Sequence, residues 1–344
     1  MTQRTEIATV GEFGLIRHLT EKIVLKNESS LKGVGDDAAV LDYGGKQILL
    51  STDLLLEGIH FDLTYAPLKH IGYKAAIANF SDIYAMNGKP RQITVSIGIS
   101  QRFCIEELDE LYSGLLIACD NYGVDLVGGD TSASLTGLTL SITCLGEVEK
   151  DKIVYRSGAK DTDLICVSGD LGAAYMGLQL LEREKKVFAG EKDFSPDFGG
   201  KEYLLERQLR PEARRDVINM LAEAGIQPTS MIDVSDGLSS ELLHICRESE
   251  VGCRIYEERI PIDFQTAALA EQFNMNLVTA ALNGGEDYEL LFTVPLTAHE
   301  KVSTLKGIHL IGHITKPSLG SYLVGRDGGE VQLIAQGWPR PTPG

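Results

Sequence analysis

The sequence predicts an α/β protein built of mixed α+β layers, divided into two domains at residues 1–150 and 151–344. Three observations predict it. Runs with strand periodicity alternate with longer runs of helical periodicity. The strand-like runs are short and often follow one another directly, which favours mixed sheets packed with helices over a doubly wound parallel sheet. The chain is long enough for two cores, and a polar, charged stretch at 149–163 offers a boundary.

Taken in order, the segment Gly11 to Val24 carries Phe13, Ile16, Leu19 and Ile23 at helical spacing. A loop, Gly33-Val34-Gly35-Asp36-Asp37, precedes strand-like runs at 38–41 and 47–52. Residues 70–86 read as a helix that packs closely through Ala75, Ala76, Ala78 and Ile83. Residues 92–99 alternate as a strand, and 105–122 form a long helix with an apolar stripe. Runs at 125–127 and 138–148 read as strands around a turn at Gly128-Gly129-Asp130. The second half opens with a strand at 164–168 and a helix from Leu171. Charge, glycine and proline at 183–201 predict a loop, and Pro211 predicts the first turn of a helix. A strand at 231–234 enters Ser235-Asp236-Gly237 and a helix at 238–248; Asn283-Gly284-Gly285-Glu286-Asp287 precedes a strand at 288–294. Two further strand-like runs close the chain, and no exact internal repeat occurs.

Composition narrows the class. Hydrophobic residues make up 43% and charged residues 24%, a globular profile. No apolar run approaches the roughly 18 residues of a membrane span. Residues 1–10 lack the basic-then-apolar pattern of a secretory signal, so a cytoplasmic protein is expected. A net charge of −17 repels nucleic acid. The six cysteines form no C-x-x-C pair and read as buried, reduced thiols.

The aspartates carry the functional signal. They fall beside glycine or small polar residues just past apolar runs: Gly35-Asp36-Asp37, Ser51-Thr52-Asp53, Ser81-Asp82, Gly129-Asp130-Thr131 and Asp233-Val234-Ser235-Asp236-Gly237. Any one of these suits a turn or a helix cap. Together they describe converging carboxylates that only a cation could offset. Oxygen donors with serine and threonine hydroxyls suit magnesium, which binds one or two carboxylates plus substrate phosphates. A bound metal also reconciles the negative chain with an anionic substrate. No P-loop is present, two aspartates inside Gly33-x-Gly35-x-x-Ala38 exclude a dinucleotide loop, and no protein-kinase motif set occurs. His60 on pattern alone suits a structural role or a substrate contact.

In order and spacing, these residues resemble the thiamine-monophosphate kinase family. The match runs through Gly11-Glu12-Phe13, Gly35-Asp36-Asp37-Ala38, Ser51-Thr52-Asp53, His60-Phe61, Gly72-Tyr73-Lys74-Ala75, Asn79-Phe80-Ser81-Asp82 and Gly128-Gly129-Asp130-Thr131. It continues through Arg156-Ser157-Gly158-Ala159, Asp233 to Leu238, and Gly284 to Leu290. The resemblance implies a two-domain fold like that of aminoimidazole ribonucleotide synthetase, a homodimer joined through the N-terminal domains, and ATP and magnesium in a cleft between sheet edges. It implies metal ligation by Asp37, Asp53, Asp82, Asp130, Asp233 and Asp236, with Ser51 and Thr52 helping. It implies nucleotide contacts from Tyr112, Gly129, Asp130, Arg156 and Ser235, and a thiamine phosphate site lined by His60, Glu286 and Trp338. Asp130, Arg156 and Asp236 are the implied catalytic groups. The chain departs from the family after Gly337-Trp338, where Pro339-Arg340-Pro341 follows.

The implied reaction moves the γ-phosphoryl group of ATP to thiamine monophosphate, whose phosphate is largely deprotonated at neutral pH and requires no general base. Two other readings are weighed. One is an ATP-dependent synthetase on another substrate; selenophosphate synthesis is disfavoured because the first cysteine is Cys104. The other is a non-catalytic nucleotide-binding scaffold, which the intact ordered aspartates disfavour.

Overall fold

The computed structural model describes residues 30–32, 35–188, 196 and 198–335. The helix expected at 11–24 and Trp338 lie outside the described residues.

The first half is built on a six-stranded sheet in the order β1-β2-β3-β6-β4-β5. Its strands are β1 (Ser30–Lys32), β2 (Ala39–Asp42), β3 (Gln47–Leu56), β4 (Lys89–Ile99), β5 (Asp125–Ala133) and β6 (Thr139–Val148). All neighbours are antiparallel except β4 and β5. Two helices, α1 (Leu68–Ala85) and α2 (Ile105–Tyr122), cover one face. Alternation along β6 sends Leu140, Ile142 and Cys144 into the helical layer and leaves Ser141 and Thr143 on the other face. Among the described residues, no helix covers that outer face. α1 is buried nearly all round, as expected of a helix packed on several sides.

The second half carries a seven-stranded sheet in the order β13-β12-β9-β11-β7-β10-β8. These strands are β7 (Leu164–Ser168), β8 (Ser230–Asp233), β9 (Gly252–Tyr256), β10 (Leu290–Val294), β11 (Ile308–Thr315), β12 (Ser321–Val324) and β13 (Glu330–Gln332). Only β9 and β12 run parallel. Ile165 and Val167 enter one core while Cys166 enters another, so the sheet is buried on both faces. Around it pack α3 (Ala173–Val187), α4 (Glu202–Leu209), α5 (Arg215–Glu223), α6 (Leu238–Glu248), α7 (Phe264–Gln272), α8 (Leu277–Asn283) and α9 (His299–Val302). Ala85 of α1 joins a core of this half, which ties the two halves together. No helix among the described residues is long and apolar enough to cross a membrane.

The mixed layers agree with expectation, and the helices at 105–122 and 238–248 match it at both ends. Three local readings are corrected. Gly128-Gly129-Asp130 is not a turn but part of β5. Gly129 is there for space: a Cβ would stand 1.9 Å from the Val95 carbonyl oxygen of the neighbouring strand. Residues 183–187 are helical, because the charges of that run lie along the polar face of α3, where Lys185 reaches Asp62 at 2.5 Å. Pro211 opens no helix; α4 has ended at Leu209 and α5 begins only at Arg215, so proline here acts as a stop.

Candidate active site

Four elements from both halves deliver carboxylates to one place. Asp37 lies in the loop before β2, Asp53 in β3, Asp82 in the last turns of α1, and Asp233 at the end of β8. One oxygen each from Asp37, Asp82 and Asp233 lies within 4.8 Å of the others. The Ser81 hydroxyl donates to Asp233 at 2.6 Å, so α1 is pinned to the second sheet beside the cluster. Asp53 is on the helix-facing side of β3, and its charge bears on both Asp82 and Asp233.

The electrostatics are unfavourable and only partly offset. Arg156 grips Asp37 with a two-pronged contact, Nε to Oδ2 and Nη2 to Oδ1, both 2.9 Å. Its backbone N–H also donates to Asp36 at 3.1 Å, and Lys32 meets Asp36 at 2.5 Å. Among the described residues, no ion pair reaches Asp82 or Asp53, and Arg156 offsets Asp82 only through space. Burial pushes Asp53 up to about 6. Burial and then the Asp37 charge push Asp233 up to about 8. Asp82 is raised by burial first and then by Asp53, Asp233 and Asp37.

Ser51, one residue pair before Asp53 on the same side of β3, has a buried hydroxyl with no partner among the described residues. Clustered carboxylates with an orphaned hydroxyl are a donor set of oxygens only, which fits a hard divalent ion such as magnesium.

A pH dependence follows. Unfolded aspartates titrate near about 3.9. Above that pH, and up to the raised values of Asp53 and Asp233, the folded chain holds protons that the unfolded chain has released. Stability therefore falls as pH rises through this window. Stripped of divalent ions, the protein is expected to melt at steadily lower temperature between about pH 5 and pH 8, and magnesium should flatten the slope. A metal-free melting temperature that climbs across that range would contradict the cluster's electrostatics.

Beside the acids opens a cavity of about 540 Å³, lined from both halves by His60, Lys74, Gln208, Ser235, Asp236 and Glu286 among others. His60 is fixed by its Nδ1, which accepts the Leu56 N–H at 3.0 Å. Asp236 follows Asp233 by three residues, and its N–H donates to the buried Glu241 of α6 at 2.7 Å. Burial raises the Asp236 carboxyl. Tyr65 donates to Glu182 at 2.8 Å across the mouth, joining the first half to α3.

The remaining expected residues lie elsewhere within this chain. Asp130 and Thr52 have their side chains on the outer face of the first sheet, opposite to Asp53. Thr52 donates to the Ile142 carbonyl at 3.0 Å and sits 3.1 Å from Thr143. Asp130 is on the edge strand, three strand spacings or about 14 Å from β3. Gly129, in the same strand as Asp130, pairs with Val95 of β4. Tyr112 packs on the first core at the level where α2 meets Lys69 to Tyr73, some three turns before Asp82.

Sequence reading missed several participants. Lys74 stands inside a quoted motif, yet nothing local marks it as reaching Glu286, which it meets at 2.9 Å. Gln208 has no motif at all. The stretch after Glu286 also divides its labour. Asp287 accepts the Gly172 N–H at 2.7 Å at the start of α3, and Glu289 is gripped by Arg207 at 3.0 Å and by Arg214.

Comparison with known proteins gives a consistent result. Residues 35–148 match the family "AIR synthase related protein, N-terminal domain". The thiamine-monophosphate kinase of Aquifex aeolicus is 35% identical over 286 residues, covering 83% of this chain and 86% of that protein. The thiamine-monophosphate kinase of Bacillus subtilis is 32% identical over 338 residues, covering 96% and 99%. A solved structure of AaThiL complexed with AMPPCP and TMP superposes with a TM-score of 0.82 at 32% identity, covering 98% of this chain and 99% of that one.

Proposed function

This chain belongs to the thiamine-monophosphate kinase family, and from that premise we propose how its own residues perform the phosphoryl transfer. The protein is an ATP-dependent kinase that converts thiamine monophosphate to thiamine pyrophosphate. The observation that carries the reading of the site is the convergence of Asp37, Asp82 and Asp233 beside a cavity that both halves line.

Asp37, Asp53, Asp82 and Asp233, with the unpartnered Ser51 hydroxyl, would hold magnesium ions. Ions bound there would offset the charges of two phosphate compounds that otherwise repel each other. Arg156 adds a fixed cation at Asp37, with a fork suited to phosphate oxygens. Ser235 and Asp236 stand at the turn into α6, between the acids and the cavity. The cavity takes thiamine monophosphate: Leu55, Phe61 and Ile71 offer apolar surface to its rings, and Asp62, Glu182 and Glu286 suit its cationic thiazolium. The acceptor phosphate is already deprotonated at neutral pH, so these residues need only position and screen it.

The outer face of the first sheet is the surface we assign to a homodimer. Leu54 and Val127 are more than half exposed on β3 and β5, and β5 is an edge strand of the sheet among the described residues. Asp130 lies on this face with Gly129 beside it on β5, whereas Tyr112 lies on the opposite, helix-covered side. On this reading the nucleotide contacts expected of Asp130 and Gly129 are completed at the interface, and the chain divides into domains 1–150 and 151–344. The six cysteines are unpaired, which suits a reducing, cytoplasmic setting; five are buried as expected, whereas Cys104, just before α2, is exposed.

The test is direct. Incubated with ATP, magnesium and thiamine monophosphate, the protein is expected to form thiamine pyrophosphate and ADP in equal amounts. ADP without the pyrophosphate would contradict the substrate assignment, and a stable monomer in sedimentation at micromolar concentration would contradict the dimer.

A further inference from the structure

Glu286 occupies an unusual position. Its backbone is left-handed, with φ of 58°, a region costly for a residue with a side chain. Its N–H donates to the Ser235 carbonyl at 2.7 Å, which sets it against the turn that bears Asp236. Both carboxylate oxygens are then taken by protein groups. Lys74 Nζ reaches Oε1 at 2.9 Å, and Gln208 Nε2 donates to Oε2 at 3.0 Å. Lys74 also donates to the Gln208 main-chain carbonyl at 3.0 Å, which closes a three-membered clamp.

The clamp is costly to build, which argues for a purpose. Gln208 is 5% exposed, and with its amide nitrogen committed to Glu286 its own side-chain oxygen is left buried with no partner among the described residues. The Lys74 side chain is only 11% exposed, and it comes from α1 of the first half, whereas Gln208 and Glu286 come from α4 and the segment before β10. All three line the cavity, and the Glu286 side chain remains 32% exposed. An unclamped glutamate on a flexible stem would sample several rotamers; this one is held in a single orientation.

We infer that Lys74 and Gln208 are positioning residues that hold the Glu286 carboxylate in one orientation toward the thiamine substrate. The inference rests on the assignment of the cavity to that substrate. It places their effect on acceptor binding and not on ATP.

Steady-state kinetics of Lys74→Met, Gln208→Leu, Glu286→Gln and the Lys74→Met/Glu286→Gln double variant test it, with melting curves recorded alongside. Lys74→Met and Gln208→Leu are each expected to raise KM for thiamine monophosphate about tenfold and to leave KM for ATP within about twofold. Because Lys74 acts through Glu286, the double variant should be no worse than Glu286→Gln alone. Penalties that multiply, a matching rise in KM for ATP, or an unchanged KM for thiamine monophosphate would overturn the positioning role. Should Lys74→Met fail to fold, Gln208→Leu decides the matter by the same KM criterion. No thiamine pyrophosphate from the unaltered protein would instead overturn the substrate assignment, and the inference with it.

Discussion

Replacing Asp82 by asparagine is expected to lower turnover by about a thousandfold or more while raising the melting temperature of the metal-free protein. The two effects share one cause. Asp82 is driven toward its protonated form by burial and by three neighbouring carboxylates, so its charge is a liability when no ion is present. Asparagine keeps the shape, removes the repulsion, and should stabilise by about 1–2 kcal/mol, or a few degrees. The same change removes a ligand oxygen from the centre of the cluster, where Asp37 and Asp233 alone cannot replace it. Turnover and calorimetric melting in a chelator check the two halves of the expectation. Near-normal turnover at saturating magnesium would remove Asp82 from the ligand set, and a lower melting point would show that its charge is compensated after all.

This expectation also marks how far the sequence could be read. Asp37, Asp82 and Asp233 are legible as a group because each adjoins an apolar run near a loop or helix end, and such ends meet in layered α/β folds. Asp130 has the same local signature and yet lies on the opposite face of the sheet. Its strand is the last in the order β3-β6-β4-β5, and strand order is a long-range property that no local pattern encodes. Thr52 lies on that face for a simpler reason: alternation along β3 must send it away from Ser51 and Asp53. Gly128-Gly129 was read as a turn because glycine usually signals backbone freedom. Here Gly129 answers to the proximity of Val95, which only the paired strand reveals. Gln208 could not have been found, since its role is defined by partners 134 and 78 residues away.

Arg156→Met is the second change with a large expected effect, and its sign is opposite. Among the described residues, the guanidinium is the one cation gripping Asp37, whose side chain is fully buried. Removing it strands that carboxylate beside Asp36 and Asp233, and the cost of breaking a buried pair is about 3–5 kcal/mol. The melting temperature should drop by about ten degrees in the absence of metal, and turnover by about a hundredfold or more. Magnesium should restore part of the lost stability, because an ion at Asp37 would take over the compensating charge. The double change Asp37→Asn/Arg156→Met should recover most of the stability and none of the activity. Arg156→Lys, which keeps the charge but loses the fork, should fall between. Melting of Arg156→Met at the parent temperature would show that the pair contributes nothing to the fold.

The bond from the Ser81 hydroxyl to Asp233 spans 152 positions of chain. On a ribosome, which releases a polypeptide from its N-terminal end, Asp37, Asp53 and Asp82 leave the exit tunnel well before Asp233. The nascent first half must therefore wait with its acidic end unfinished. The chemistry of this enzyme is sealed off until about two thirds of the message has been translated.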